Sequence, residues 1–419
     1  MATIAIILFC LLMLLLLAQM APSVGFLRQL RRWQPEVLPD DNCPKAAIIL
    51  CLRGADPFLK DTLLHLFDLD YPNYVVRIIV DSRDDPAWEM VEQTIDQRQP
   101  NNVRIEPLRN RLDTCGLKNS SLLQIVESLD ESFEIVAFLD ADAVPHRTWL
   151  RDLAAPLAAE NIAATSGQRW YMPSVVTVGS LVRYVWNAAT VIAMAERSVW
   201  GGSYAIKLKA LHETGLLDSW KMSLAEDVMV YQRLKKAGYD TQFVPGLMMT
   251  NREGCGMRPF FRWLARQILM GRLYHFSWLV LLFHGLLTTT AIIAAMAVTV
   301  ITAARQDWLP AVLLGGGLLG YLFAMILLLL ALERSARNVI RSRNEPVKWF
   351  SLGASLKCLL AIPLTQFVYT AALLKVVFIR KVEWRKAVYQ VNGPWQIRLL
   401  SHEPYVAANT GSTDSQVSV

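Results

Sequence analysis

Four apolar runs, residues 2–18, 279–304, 311–332 and 353–379, constrain this chain more than any other feature of its sequence. A helix needs roughly 17–25 predominantly apolar residues to cross the hydrocarbon core of a bilayer, and every run reaches that range. The stretch between the first two runs is soluble in character. The whole chain is 53% hydrophobic and 19% charged over 419 residues, against about 45–50% and about 25% for an ordinary soluble domain. The excess sits in the runs. This pattern excludes a plain soluble enzyme, a disordered chain and a disulfide-built mini-protein, and it disfavours a many-span transporter. It predicts a membrane-anchored protein with one large water-facing domain.

Basic residues orient that arrangement. The run 2–18 lacks the basic leader and small-residue cleavage site of a signal peptide, so it reads as an anchor. Arg28, Arg31 and Arg32 follow it, and the positive-inside bias keeps them, with the domain beyond, in the cytosol. Runs two and three are separated by only 305–310 and form a membrane hairpin; 333–350 then carries five basic residues back to the cytosol. Run four contains Pro363, where a helix breaks or kinks. Full crossing would leave Arg380, Lys381, Arg385 and Lys386 outside, whereas a re-entrant or interfacial hairpin would not, and both readings stay open. The formal net charge of +6 is explained by these juxtamembrane residues. No recognition motif accompanies it, so no nucleic-acid partner is expected. The six cysteines include no CxxC pair and are expected to be reduced.

From residue 46 the pattern alternates short apolar runs with helical periods. Strands are predicted at 46–52, 75–80, 103–108 and 135–139. Asp56-Pro57 and Asp85-Pro86 each read as an N-cap followed by a first-turn proline. Strands apolar on both faces, separated by helices, predict an α/β fold with a mostly parallel sheet. Ligands bind such sheets beyond the carboxyl ends of the strands. Asp81 follows directly on 75–80, and Asp140-Ala-Asp142 follows on 135–139. Alternate residues of an extended chain point the same way. Two facing carboxylates with hard oxygens suit Mg2+ or Mn2+, and Mg2+ typically takes one or two of them plus substrate phosphates.

Two further elements carry candidates. Ala225-Glu226-Asp227 opens a helical stretch at 228–237. Ser223 with Glu226 has capping-box spacing, while Asp227 fits a first-turn acid or a general base, and spacing leaves both open. Arg258-Pro-Phe-Phe-Arg-Trp263 begins a basic amphipathic segment suited to the headgroup plane. Within it Arg262 is a candidate diphosphate partner and Trp263 a candidate acceptor-site wall.

Asp81-Ser-Arg-Asp-Asp-Pro-Ala87, Asp140-Ala-Asp142, Ala225-Glu-Asp227 and Arg262-Trp263 stand in the order and rough spacing of membrane-bound inverting glycosyltransferases of the GT-A fold. Among these the chain resembles the ceramide glucosyltransferase family. The resemblance implies a Rossmann-like GT-A domain at 40–257, held in the cytosol. Around it lie a transmembrane anchor at 1–25, an interfacial helix at 258–278, membrane helices at 279–379, and a basic segment with a disordered tail at 380–419. It implies a UDP-sugar donor contacted by Asp81, Lys118, Asp140, Arg262 and Trp263, and a Mg2+ or Mn2+ held by Asp140 and Asp142. Asp227 becomes the general base, and Gly202, Ser203 and Glu226 lie at the acceptor site. The acceptor implied is a membrane lipid such as ceramide, the sugar glucose, and the outcome inversion. The family signature (Q/R)-x-x-R-W departs here, because its first position is Pro259. That departure, and the small number of spans, disfavour a polysaccharide synthase. A polyprenyl-phosphate glycosyltransferase and a non-catalytic scaffold are the remaining alternatives.

Overall fold

The protein is described from a computed structural model over residues 1–195, 197–347 and 349–405. The end of the tail expected to be disordered, from 406 onward, lies outside the described residues. The chain opens with helix α1 (Ala2–Arg32). Strand and helix then alternate: β1 (Ala46–Leu52), α2 (Leu59–Leu66), β2 (Tyr74–Val80), α3 (Pro86–Arg98), β3 (Val103–Pro107), α4 (Leu117–Val126), β4 (Ile135–Leu139) and α5 (Trp149–Ala154). Next come β5 (Ile162–Tyr171), α6 (Val178–Met194), β6 (Ser203–Lys207), α7 (Leu208–Glu213), α8 (Leu216–Trp220), α9 (Val230–Lys236) and β7 (Asp240–Asn251). Four long helices follow, α10 (Met257–Tyr274), α11 (Trp278–Ala304), α12 (Trp308–Ser342) and α13 (Leu352–Val377). The described chain ends in β8 (Lys381–Trp384), β9 (Ala387–Gly393) and β10 (Gln396–His402).

The seven-stranded sheet has the order β3-β2-β1-β4-β6-β5-β7. β1 pairs in parallel with β2 and β4, and β2 with β3, while β6 runs antiparallel between β4 and β5. The fold is therefore the mostly parallel α/β sheet that the apolar strands predicted. Strand order reverses at β1, the switch point where such sheets open a crevice. Residues of β1, β2 and β4 are buried on both faces, against two separate hydrophobic clusters. Asp85 is the cap it was expected to be, its carboxylate accepting from Ala87 N at 2.9 Å. Asp56 is not: α2 begins after Phe58 without a side-chain cap.

Four helices, α1, α11, α12 and α13, are long and apolar enough to cross a membrane. α1, α11 and α12 pack on one another through Ala5, Leu12, Leu15, Ala291, Ala295 and Leu314. The break expected at Pro363 is absent, and no re-entrant hairpin forms; α13 is one continuous helix through that residue. Neighbouring side chains hold the turns beyond the proline, as they do for prolines in packed apolar helices. Thr365 Oγ1 donates to Ala361 O at 2.7 Å, Gln366 Nε2 donates to Gly285 O at 3.2 Å, and Thr370 and Thr289 hydroxyls meet at 2.7 Å. Both ends of α13 adjoin the sheet domain and its flanking helix. Before it, Arg252 Nη2 donates to Pro346 O at 2.6 Å; at its end, Arg272 Nη1 donates to Val377 O at 2.9 Å.

The sequence showed no sign of the three-stranded antiparallel sheet β10-β9-β8. It folds back onto the sheet domain, where Tyr389 Oη accepts from Leu117 N, at the start of α4, at 3.1 Å.

Candidate active site

β2 and β4 end beside β1, so Asp81 and Asp140 emerge at one rim of the sheet. Antiparallel pairing sets Leu139 opposite Ser203, and Asp140 N then donates to Gly202 O at 3.2 Å. The loop before β6 is thereby laid against the acidic strand end. A Cβ on Gly202 would stand 2.2 Å from the Trp200 ring and 2.8 Å from Asp140 Oδ2. On Gly201 it would stand 2.3 Å from Glu226 Oε1. Only glycine allows that approach. Gly202→Val is expected to lower the activity of this rim by about a hundredfold, since displacement of a reacting group by about 1 Å can cost that much; turnover measured at matched protein levels checks it.

Cations and carboxylates alternate across the rim. Lys118, in the first turn of α4, donates from Nζ to Asp140 Oδ1 at 2.7 Å and to Gly201 O at 3.2 Å, and pairs with Glu226 Oε1 at 2.6 Å. Burial would lower the lysine's pKa, but Asp140 and Glu226 hold it well above the usual range. Arg169, on β5, lies between the two acids of Asp140-Ala-Asp142, 3.0 Å from Asp142 Oδ1 and 3.5 Å from Asp140 Oδ2. Burial would raise the Asp140 pKa, yet Lys118 and Arg169 keep it below the usual carboxylate value. Among the described residues no cluster of three metal-ligating side chains occurs. Asp140 and Asp142 remain a hard-oxygen pair of the kind that takes a divalent cation together with substrate phosphates.

Asp227 is held from both sides. Its Oδ2 accepts from Gly201 N at 2.8 Å and its Oδ1 from Val228 N at 2.7 Å. Burial and the adjacent Glu226 carboxylate push its pKa up to about 7 despite the Gly201 bond and Lys118. A carboxylate poised there can take a proton at neutral pH. Glu226 is not the capping residue its spacing suggested, because α9 begins later, at Val230, and its side chain serves Lys118.

These groups line one cavity of about 1030 Å³. Asp81, Lys118, Asp140, Asp142, Gly202, Glu226, Asp227 and Trp263 all border it. Two expected residues do not. Ser203 is fully buried, its Oγ accepting from Trp149 Nε1 at 2.9 Å behind the rim. Arg262 is exposed and outside the cavity lining. Helical phase separates it from Trp263: adjacent residues stand about 100° apart, whereas i, i+3, i+4 and i+7 share a face. That face of α10 carries Trp263, Arg266, Gln267 and Met270 to the cavity. Arg266 takes the inward place expected of Arg262, and burial with nearby Arg385 and Arg169 lowers its pKa to about 10.

Other lining residues carried no readable signal. Asp81 is held by Arg53, from the end of β1, and by His402 of β10, whose Nε2 lies 2.8 Å from Asp81 Oδ2. Away from the carboxylates the cavity runs between the apolar helices, past Met296, Leu319 and Pro363. Polar groups also line that portion: Tyr321 Oη donates to Gln19 Oε1 at 2.8 Å, and Gln19 Nε2 lies 3.3 Å from His284 Nε2.

Residues 11–395 match the family model of glycosyl transferase family 21. No curated protein matches the sequence. Among solved structures, a mannosyltransferase from Pyrobaculum calidifontis, in complex with GDP-Man and Mn2+, is similar with a TM-score of 0.48 and 17% identity, over 88% of this chain and 99% of its own. Glucosyl-3-phosphoglycerate synthase from Mycobacterium tuberculosis, in complex with Mn2+, UDP and glucosyl-3-phosphoglycerate, is similar with a TM-score of 0.34 and 14% identity, over 56% of this chain and 86% of its own.

Proposed function

This chain belongs to glycosyl transferase family 21, and from that premise we propose that it moves a hexose, glucose by family resemblance, from a UDP-sugar to the hydroxyl of a membrane lipid such as ceramide. One observation carries the lipid acceptor: the cavity bordered by Asp227 continues without interruption between α1, α11, α12 and α13. A soluble acceptor needs no such apolar passage. A lipid does, and its headgroup hydroxyl then reaches the carboxylate while its chains stay among the helices.

In this reading Asp227 accepts the proton of the acceptor hydroxyl, and the oxygen attacks the anomeric carbon in one displacement, which inverts its configuration. The backbone N–H groups of Gly201 and Val228 orient the carboxylate. Lys118 fixes Asp140 and Glu226 on either side of it. Asp140 and Asp142 would hold a Mg2+ or Mn2+, which when bound supplies electrostatic stabilisation of the departing diphosphate. Asp81 stands where the nucleoside would lie.

The domain boundaries follow the same reading, with α1 as anchor, α10 in the headgroup plane, and the sheet domain in the cytosol beside Arg28, Arg31 and Arg32. α13 starts beside the sheet domain and ends beside α10, so we place it along the membrane surface rather than across it, which gives three crossings and keeps Arg380 to Lys386 cytosolic.

Membranes containing the protein, given labelled UDP-glucose and ceramide, are expected to yield solvent-extractable neutral glycolipid. Label in polymer or in polyprenyl phosphate instead overturns the proposal. The acid limb of the rate supplies a second check. The base works only when ionised, and its pKa is raised to about 7. Activity should therefore rise through neutrality and fall about tenfold per pH unit below it; a limb near pH 4, typical of an unperturbed carboxyl, would remove Asp227 from that role.

A further inference from the structure

The β8–β9 connection is a two-residue hairpin turn, Arg385-Lys386, with φ of 45° and 64°. Turns of this hand place both residues in the left-handed region and are normally built from Asn and Gly. Two long side chains there mark a backbone held against its preference, a feature that clusters at ligand clamps. The turn is also far from idle. Arg385 borders the cavity alongside Asp81, Asp140 and Asp142. Its carbonyl accepts from Arg53 Nε at 2.9 Å and Nη2 at 2.8 Å. Its guanidinium reaches Asp56 Oδ1 at 2.5 Å and the Arg53 carbonyl. Arg53 in turn holds Asp81, with His402 of the same small sheet on the other side. The C-terminal sheet thus touches the crevice at two points, one beside Asp81 and one facing the Asp140–Asp142 rim.

We propose that the C-terminal sheet forms a wall of the donor pocket and that Arg385, at its tip, binds the diphosphate of the nucleotide sugar. The proposal rests on the reading of this site as a nucleotide-sugar site. A planar guanidinium matches two phosphate oxygens in parallel. A diphosphate lodged beside two carboxylates also needs fixed positive charge on its far side, and Arg385 offers it from a separate element. Asp56 holds the guanidinium in place, which explains why an acid with N-cap spacing is spent on a residue more than 300 positions away.

The test compares UDP and uridine, both with Mn2+, on the full-length protein in nanodiscs by titration calorimetry. For Arg385→Ala, UDP affinity is expected to fall at least tenfold while uridine affinity is unchanged; Arg385→Lys keeps the charge without the fork and should lose three- to fivefold for UDP alone. Equal losses for UDP and uridine would make the turn a structural latch and overturn the proposal, as would no loss in either variant. Should Arg385→Ala fail to fold, the Arg385→Lys comparison decides in the same terms. Wild-type protein that binds GDP and not UDP overturns the donor assignment but not the arginine, which the GDP–guanosine pair then tests. Wild-type protein that binds neither overturns both.

Discussion

Asp227→Asn is expected to reduce glycosyl transfer by about 10²–10⁴-fold, the usual range for loss of a positioned general base, while UDP binding is retained. The substitution preserves shape, and its amide oxygen can still accept one of the two N–H bonds that Gly201 and Val228 give the carboxylate. What disappears is the capacity to take a proton. The same exchange removes one of two adjacent negative charges, so any effect on the Lys118–Glu226 pair should favour folding rather than oppose it. Transfer and UDP affinity measured on the same preparation separate the outcomes. Turnover near the wild-type rate removes Asp227 from the mechanism, and parallel loss of UDP binding assigns it to the donor pocket instead.

The second large effect belongs to Lys118 and Glu226. Lys118 lowers the pKa of Asp227 and Glu226 raises it. Lys118→Met should therefore move the acid limb of the pH–rate profile upward, and Glu226→Gln should move it downward. Each shift is on the order of one pH unit, equivalent to roughly 1.4 kcal/mol of interaction with the ionised base. The lysine variant should lose more. Asp140 then has no ammonium to fix it, and misplacement of this kind costs about a hundredfold in rate. Limbs that move together, or do not move, would show that neither group acts on the base.

Much of this site was written in local sequence. β1 and β4 occupy the residues their apolar runs delimit, and β2 and β3 differ from prediction by one residue at one end. Once a parallel sheet is granted, Asp81, Asp140 and Asp142 fall just beyond the carboxyl ends of its strands, and all three border the cavity. The misreadings share a physical cause. Asp56 and Glu226 have capping spacing, and capping is a local signal, but each carboxylate is claimed by a cation distant in sequence, Arg385 and Lys118 respectively. Arg262 and Trp263 stand together in the sequence motif, whereas a helix turns adjacent residues apart, and Arg266 is the arginine that faces inward with Trp263. The small C-terminal sheet is short, polar on one face and basic, so its sequence resembles a juxtamembrane tail. Its structural role comes from contacts with Arg53, Asp81 and Leu117, which no local pattern encodes.

That small sheet also sets an order of events in biosynthesis. A ribosome releases Asp81, Asp140, Asp142 and Asp227 long before residues 380–402, with the apolar helices α11, α12 and α13 in between. Until β8–β10 fold back, the acids stand around an unfinished crevice. A nascent or prematurely terminated chain can therefore hold every acid of the site, yet lack the wall proposed for its donor pocket. On the proposed reading, activity belongs to chains whose β8–β10 have folded back, and copies without them draw nothing from the nucleotide-sugar pool.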